Sequence, residues 1–458
     1  MSLVLAVDLG GTSLRAGLLD PSGALLALRA RPHRTAEEAD ADSWWRDLRA
    51  LLADLPKRDV AGVALGGFTR SQVLLDAAGR PVRPAQCFPD GRATAEAEEL
   101  AGLLNPGWTA ITPYHPLARL LWVRRHDPAA FARARHLLQP KDYLAFCLTG
   151  RIATDTVANA WARDRAGHPA PQVLAAAGLD PALLPGMLPP EAPLGLCTLP
   201  GLEGVPVFCG SMDSWMASLG AGAGRPGAAY LISGTTDVAG VLAAVPESRP
   251  GRVTLPWGTG PEGAELYHTG GPSSAGAACA DWAAETLGLP DAAAVVALAE
   301  TARPGSAAPF FLPALMGERA PHWRPEARGA FLGLDRAHGA ADLARAVLEG
   351  VAMADRALLE GLEIARLVLT GGGARSDFWC RLRAEVLGRP LHRAATPEPG
   401  LLGAAVLAFA ALGEFPSRAA AQAALCRTDA TFPGSPGGAD ARYALFKRAQ
   451  AACMGLMS

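Results

Sequence analysis

An apolar run near the start of the chain reaches Asp8, and Gly10, Gly11, Thr12, Ser13 and Arg15 follow at once. Glycines let a backbone approach an anion closely, and the N–H groups and hydroxyls behind them donate to phosphate oxygens. A carboxylate at the end of the preceding strand is placed to hold Mg²⁺, directly or through water. The turn is not a P-loop, because GxxxxGK[ST] is missing. Nor is it a dinucleotide fingerprint, because a strand pattern follows it instead of a helix. SGTTDVAG, Ser233 to Gly240, repeats the chemistry with Gly234, Thr235 and Thr236. LVLTGGGARSDFW, Leu367 to Trp379, runs a buried strand into Gly372 and Gly373, with Ser376 near a helix start; such a backbone can lie flat against adenine and ribose. Each stretch alone is matched by an ordinary turn. Three in this order, spread over two halves, are harder to assign to turns alone.

Asp213 raises a different question. Between Glu203 and Asp237 the only formal charges are Asp213 and Arg225. A carboxylate in such an apolar, small-residue stretch needs a partner or a task. The pattern of VPVFCG predicts a strand and that of SWMASLG a helix, which puts Asp213 at the helix N-terminus. There it either caps the helix or, kept ionised by the dipole, accepts a proton from a bound hydroxyl.

The elements around these residues read as α/β. LVLAVDL, SLRAGLLD and ALLALRAR are strands, and SWWRDLRALLADL is an amphipathic helix burying Trp45, Leu48, Leu51, Leu52 and Leu55. QVLLDAAGRPVRP predicts strand, glycine turn and strand, and the region from about 90 to 200 reads as mostly helical. AAYLISGTTDVAGVLAA echoes LAVDLGGTSLRAGLL, so the halves look duplicated, with GAGAGRPGA as a joint. The chain ends in helix (AADLARAVLEGVAMADRALLEGL), strand (RLVLTGG), helix, and the small-residue helix GLLGAAVLAFAALG.

Bulk properties narrow the function classes. A chain of 458 residues suits two or three domains. With 42 Lys+Arg against 44 Asp+Glu the net charge is −2, which argues against nucleic acid as a partner. The eight cysteines form no CxxC pair and no Cys/His cluster, so reduced thiols are expected and neither a disulfide framework nor a zinc site is. MSLVLAVD lacks a signal peptide's basic start, and the longest apolar run, Leu401 to Gly413, is too short to span a bilayer. A cytoplasmic protein with no membrane partner is the expectation.

DLGGTS, GSMD, SGTTD, GERAPHWRPEARGAFLGLDRAHGAADLARAVLEG and TGGGARSDFW, in that order, resemble the FGGY family of carbohydrate kinases. The resemblance runs from about residue 3 to 412 and is most specific over Gly317 to Gly350; PKDYLAFCLTGRIATD, Pro140 to Asp155, is similar to a further family segment. It implies two ribonuclease H-like (actin-like ATPase) α/β domains flanking an interdomain catalytic cleft. The boundaries expected are 1–222, 223–435 and a C-terminal helical tail, 436–458. It also implies ATP and Mg²⁺ as cofactors and a small sugar or polyol as substrate, most closely a ketose such as a pentulose. A glycerol, erythritol or gluconate type of acceptor is the alternative, and a homodimer is compatible with the family.

Carried over position by position, the resemblance makes Asp8 the Mg²⁺-associated aspartate and Asp213 the general base. Gly10, Gly11, Thr12, Ser13 and Arg15 form the first phosphate turn, Gly234, Thr235 and Thr236 the second, and Gly372, Gly373 and Ser376 the adenosine motif. The sugar side departs from the family pattern. Arg70, beside Thr69, stands about where xylulokinase members carry histidine, and Phe88 replaces the tryptophan of a WxDxR motif that keeps Asp90 and Arg92. Ser214 follows the base where such members have Asn. Asp90 and Arg92 either contact sugar hydroxyls or fix their own loop; Arg70 suits a carboxylate as well as hydroxyls. Tyr114, His115 and Trp161 are weaker candidates, and His322 and Trp323 are expected to shape a hinge. A glucokinase of the ROK type shares DxGGT but usually carries a cysteine-rich zinc motif, absent here. A silent binding relative is disfavoured because Asp8 and Asp213 are both retained.

Overall fold

Leu3–Leu9 (β1) is apolar at nearly every position, as a strand covered on both faces requires, and the turn at 10–12 returns the chain as Ser13–Leu19 (β2). The computed structural model describes residues 2–103, 110–164, 168, 170–260, 263–302 and 309–456. The sheet built on this hairpin also contains Leu25–Pro32 (β3), Val60–Gly67 (β4), Pro193–Leu196 (β5) and Pro206–Met212 (β6), in the order β5-β6-β4-β1-β2-β3. β1, β4 and β6 run parallel, while β2, β3 and β5 join them antiparallel. Helix Ala41–Ala53 starts at Asp40, whose carboxylate accepts from Asp42 N–H. It buries Trp44 with Leu48, Leu51 and Leu52; the expected Trp45 lies one position off the buried stripe and is only partly covered.

A second sheet contains Ala228–Ser233 (β7), Asp237–Ala243 (β8), Val253–Thr259 (β9), Glu265–Pro272 (β10), Arg366–Thr370 (β11), Leu391–Ala394 (β12) and Thr428–Phe432 (β13). Its order is β9-β10-β8-β7-β11-β12-β13. Here β7, β11 and β12 run parallel, and the β7–β8 hairpin lies against antiparallel β10. The β1–β2 hairpin with β3 outside it and β4 and β6 parallel to β1 has the same arrangement. The duplication suggested by the sequence echo is therefore present in the topology.

The chain forms two units that are discontinuous in sequence. Unit 1 is Met1–Gly220, Leu255–Glu265 and Gly400–Leu425; unit 2 is Ala221–Thr254, Leu266–Pro399 and Cys426–Ser458. Gly400–Leu425, read from sequence as part of a C-terminal domain, packs in unit 1. The presumed C-terminal tail is helix Asp440–Leu456, whose Tyr443 and Phe446 join a core of unit 2.

QVLLDAAGRPVRP forms the expected strand, turn and return, but as an irregular hairpin. Val73–Leu75 makes its regular ladder with His136–Leu138, while the return arm is held by the Leu75–Pro81 bridge and by Asp76 N–H to Arg80 O and Val82 N–H to Leu74 O, each at 2.9 Å. Asp76 Oδ1 takes the N–H groups of Ala78 and Arg80 into a tight turn, and Pro81 and Pro84 have no N–H to extend a ladder. Among the described residues no single helix is long and apolar enough to cross a membrane.

Candidate active site

In open α/β sheets ligands bind beyond the carboxyl ends of the parallel strands. In unit 1 three adjacent parallel strands deliver the sequence candidates to that end. Asp8 lies near the end of β1, Thr69 and Arg70 follow β4, and Asp213 follows β6. Register makes the alignment tight: Gly66 of β4 pairs with Asp8 on one side and Ser211 on the other. β1 and β6 are two strand spacings apart, about 10 Å. Arg15 is the antiparallel partner of Asp8, so both side chains project from one face of the sheet.

Asp8 is partly exposed, and helix Pro399–Ala411 begins against it. A Cβ on Gly400 would lie 2.7 Å from Asp8 Oδ2 and 3.0 Å from its Cγ, so any side chain here would displace the Asp8 carboxylate. Among the described residues no group of three or more His, Cys, Asp or Glu could hold a metal. A single cradled carboxylate fits Mg²⁺, which takes one or two protein carboxylates and fills its octahedron with phosphate and water. It does not fit a metal needing an all-protein cage. In the turn itself, Gly10 N–H donates to Ser13 O and Thr35 Oγ1 to Gly11 O, while Thr12 is exposed.

Asp213 is the first residue of helix Asp213–Gly220 and is partly exposed. Ser214 N–H donates to its Oδ1 at 2.6 Å, and Oδ2 accepts no hydrogen bond from any described residue. An N-cap bond comes from the second or third N–H of the helix, so a bond from the adjacent residue is not a cap. Burial pushes the Asp213 carboxyl above its ordinary range, and Ser214 N–H pulls it partly back. The strand before Asp213 is anchored from PKDYLAFCLTGRIATD. Ser211 Oγ donates to Asp155 Oδ1 at 2.8 Å, Lys141 Nζ lies 3.0 Å from Asp155 Oδ2, and Lys141 also contacts Asp142. All four side chains are buried.

The sugar-side candidates divide. Arg70 is exposed, adopts φ 54°, and its guanidinium makes no hydrogen bond or ion pair with any described residue. Its carbonyl is held by buried Arg119, which also donates to Asp90 O at 2.6 Å and Phe88 O at 3.3 Å. Arg119 therefore clamps the loop after β4 to the Phe88–Asp90 loop. Nothing in the sequence signalled it, because it lies on a helix face among leucines. Thr69 Oγ1 donates to Gln139 Oε1 at 3.1 Å. Asp90 is bonded within its own loop, the second of the two roles that the sequence left open. Its Oδ1 accepts from Arg92 N–H at 3.1 Å and Nε at 2.9 Å, and its Oδ2 from Gln86 Nε2 at 3.0 Å and Arg92 Nη2 at 2.9 Å. Those bonds fill its four acceptor positions. Despite the cost of burial, Arg92 and Gln86 hold the Asp90 carboxyl below its usual range. His115 is buried edge-on to Trp161, at 5.8 Å; burial and the Arg70 charge push it down to about 3, so the ring is neutral. Tyr114 lies near the Arg119 guanidinium.

Unit 2 repeats the strand-end arrangement. Gly234, Thr235 and Thr236 follow β7, and Gly372, Gly373 and Ser376 follow its parallel neighbour β11. Thr235 and Gly372 are exposed. A Cβ on Gly373 would lie 2.1 Å from Ser233 Oγ, so the two motifs touch. Ser376 caps helix Asp377–Leu387, its Oγ accepting from Trp379 N–H at 3.3 Å. Trp323 Nε1–H donates to Gly251 O at 2.7 Å, inside unit 2.

The N-terminal domain model of the FGGY family of carbohydrate kinases matches residues 3–220, and its C-terminal domain model matches 229–412. Xylulose kinase of Escherichia coli (strain K12) is 32% identical over 454 residues, covering 89% of both chains. A crystal structure of xylulose kinase from Rhodospirillum rubrum superposes with TM-score 0.85 at 29% identity, covering 99% of each chain. Gluconate kinase from Lactobacillus acidophilus shares the fold, with TM-score 0.89 at 22% identity, over 100% of this chain and 99% of its own. Two glycine-turn hairpins, each flanked by parallel strands that present candidate residues at their carboxyl ends, agree with these matches. The chain belongs to the FGGY family of carbohydrate kinases.

Proposed function

We propose that this ATP-dependent carbohydrate kinase phosphorylates a hydroxyl of a pentulose, with xylulose the first acceptor to try. The observation that carries the reading is the line of Asp8, Arg70 and Asp213 at the carboxyl ends of three adjacent parallel strands. The curated relative at 32% identity is a xylulose kinase, which supports the acceptor class.

In this reading Asp213 Oδ2, open on its free side, accepts the proton of the attacking hydroxyl. As the oxygen–phosphorus bond forms, the bond from the terminal phosphorus to the bridging oxygen of ATP breaks, and ADP leaves with that electron pair. A carboxyl raised by burial is a stronger base than an ordinary aspartate and remains ionised once the pH exceeds its pKa. In unit 1 the Gly10–Arg15 turn offers donors suited to phosphate oxygens; in unit 2 the Gly234–Thr236 turn offers the same, and Gly372 and Gly373 offer open backbone suited to an adenosine. Asp8 is the residue that would hold Mg²⁺, which when bound neutralises phosphate charge. Arg70 meets the acceptor's oxygens with an uncommitted guanidinium.

Arg70 also supports a second reading, since a planar donor fork suits the carboxylate of a sugar acid. An ADP-release assay with Mg-ATP and a panel of pentuloses, hexuloses, polyols and aldonates separates the two. Turnover highest on a pentulose is expected. Turnover highest on an aldonate would transfer the proposal to sugar acids, and turnover on none would refute kinase activity toward this class.

A further inference from the structure

Ser233 and Asp237 are cross-strand partners that bracket the Gly234–Thr236 turn, and both side chains are wholly buried. Arg383 of helix Asp377–Leu387, also 0% exposed, reaches them: its Nη2 lies 2.9 Å from Ser233 Oγ and 2.8 Å from Asp237 Oδ2. Ser233 Oγ donates in turn to Asp237 Oδ1 at 2.9 Å. On the far side Arg383 Nε lies 3.6 Å from Asp355 Oδ2, on helix Ala340–Leu359, and the guanidinium carbon is 4.5 Å from the Trp379 ring centre. Gly373 closes on the same serine, with no space for a Cβ.

Two buried acids share one guanidinium. Asp355 accepts no hydrogen bond from any described residue. Burial raises both carboxyls, the neighbouring Asp237 pushes Asp355 well above the ordinary range, and Arg383 opposes the shift at each acid. Such a cluster is a poor source of stability, since apolar residues of similar size usually serve a core as well or better. What it supplies is direction. A single guanidinium nitrogen bonds both ends of the turn, and the serine it holds abuts the glycine loop after β11.

We propose that Arg383, with Asp237 and Asp355, is a positioning set for the nucleotide, holding the Gly234–Thr236 turn and the Gly371–Gly373 loop in the geometry that receives ATP. This rests on reading that turn as a phosphate-binding element. The test uses the full chain and three measurements: ATP and ADP affinity by calorimetry, KM for ATP and for the acceptor, and melting temperature. The triple variant Asp237→Asn, Asp355→Leu, Arg383→Met removes the charges while leaving Ser233 an acceptor. It should melt near the wild-type temperature, bind ATP and ADP about tenfold more weakly, as expected for lost charge-assisted bonds, and leave the acceptor KM unchanged. Wild-type nucleotide affinity in that variant would overturn the proposal. So would equal losses in ATP and acceptor KM, which denote general loosening. Should the triple variant not fold, Arg383→Lys decides. It keeps the charge but lacks the fork, so a severalfold weaker ATP affinity is expected and an unchanged one is fatal. Thr235→Ala and Thr236→Ala test the underlying reading. If they leave nucleotide affinity intact, the phosphate turn is misassigned and the positioning set falls with it. If they weaken it while the triple variant does not, only the positioning set is wrong.

Discussion

Gly400 stands against Asp8 so closely that a methyl group there would lie 2.7 Å from the carboxylate Oδ2. The helix that begins at Pro399 therefore fixes where the Asp8 carboxylate can be. Gly400→Ala improves helix propensity and adds only one carbon, so the fold should hold. Displacement of Asp8 by about 1 Å should lower kcat about 10²-fold. Steady-state kinetics beside a thermal melt checks this. A folded Gly400→Ala enzyme with kcat within twofold of wild type would remove Asp8 from the chemistry.

Asp213→Asn should reduce kcat by about 10²–10⁴-fold and leave ATP affinity nearly intact, because it removes proton acceptance alone. In the wild type the base works only when ionised, so activity should fall as the pH drops through a value above the ordinary 3.8. Stability carries the opposite sign. A carboxyl raised in the folded state contributes stability that is full below 3.8 and lost as the pH rises through the folded value. At neutral pH the native state bears that cost, and Asp213→Asn should melt higher than wild type, the gain vanishing at acid pH. A variant that melts lower at neutral pH would mean the carboxylate is structurally satisfied.

Arg70 and Asp90 should fail in different ways. Arg70→Ala deletes a guanidinium with no described partner, so stability should hold while the acceptor KM rises at least about tenfold, as for loss of a charged hydrogen bond, and the ATP KM stays put. Asp90→Ala strips Arg92 and Gln86 of four hydrogen bonds in a buried loop, so the melting temperature should fall first. Kinetics at saturating ATP with a parallel melt separates them. A drop in melting temperature for Arg70→Ala would assign Arg70 to structure.

Much of this was legible in sequence because strand, glycine turn and strand are local patterns. The β1–β2 and β7–β8 hairpins and the helix start at Asp213 needed only neighbouring residues. What escaped the reading depends on distant pairings. Asp90 has the residue type of a sugar contact, and only the positions of Arg92 and Gln86 show that its acceptors are full. The 400–411 helix reads as generic packing until Asp8 is found at its start. Arg119 and Arg383 would be expected to lie on solvent faces of their helices, and tertiary partners alone explain their burial. The motif at 140–155 was recognisable as a string, while its physical content is the Lys141–Asp155 anchor under Ser211.

Glu318, in the GERAP stretch, offers a test of unit 2 independent of catalysis. It is 5% exposed, and its described carboxylate bond is a long one from Gln450 Nε2 at 3.4 Å. Burial raises its carboxyl to about 7, although Gln450 and Arg319 oppose the shift. Because the folded value exceeds the ordinary 4.5, its contribution to stability is full below 4.5 and is lost as the pH rises through 7. The native state above pH 7 therefore carries a penalty of roughly 3 kcal/mol. Glu318→Gln keeps the shape and the bond to Gln450 while removing the charge. It should melt well above wild type at pH 8 and close to it at pH 4. Denaturant unfolding across this range reads the difference directly. Parallel curves for the two proteins from pH 4 to 8 would show that Glu318 is ionised without penalty in the native state, and hence hydrated or paired.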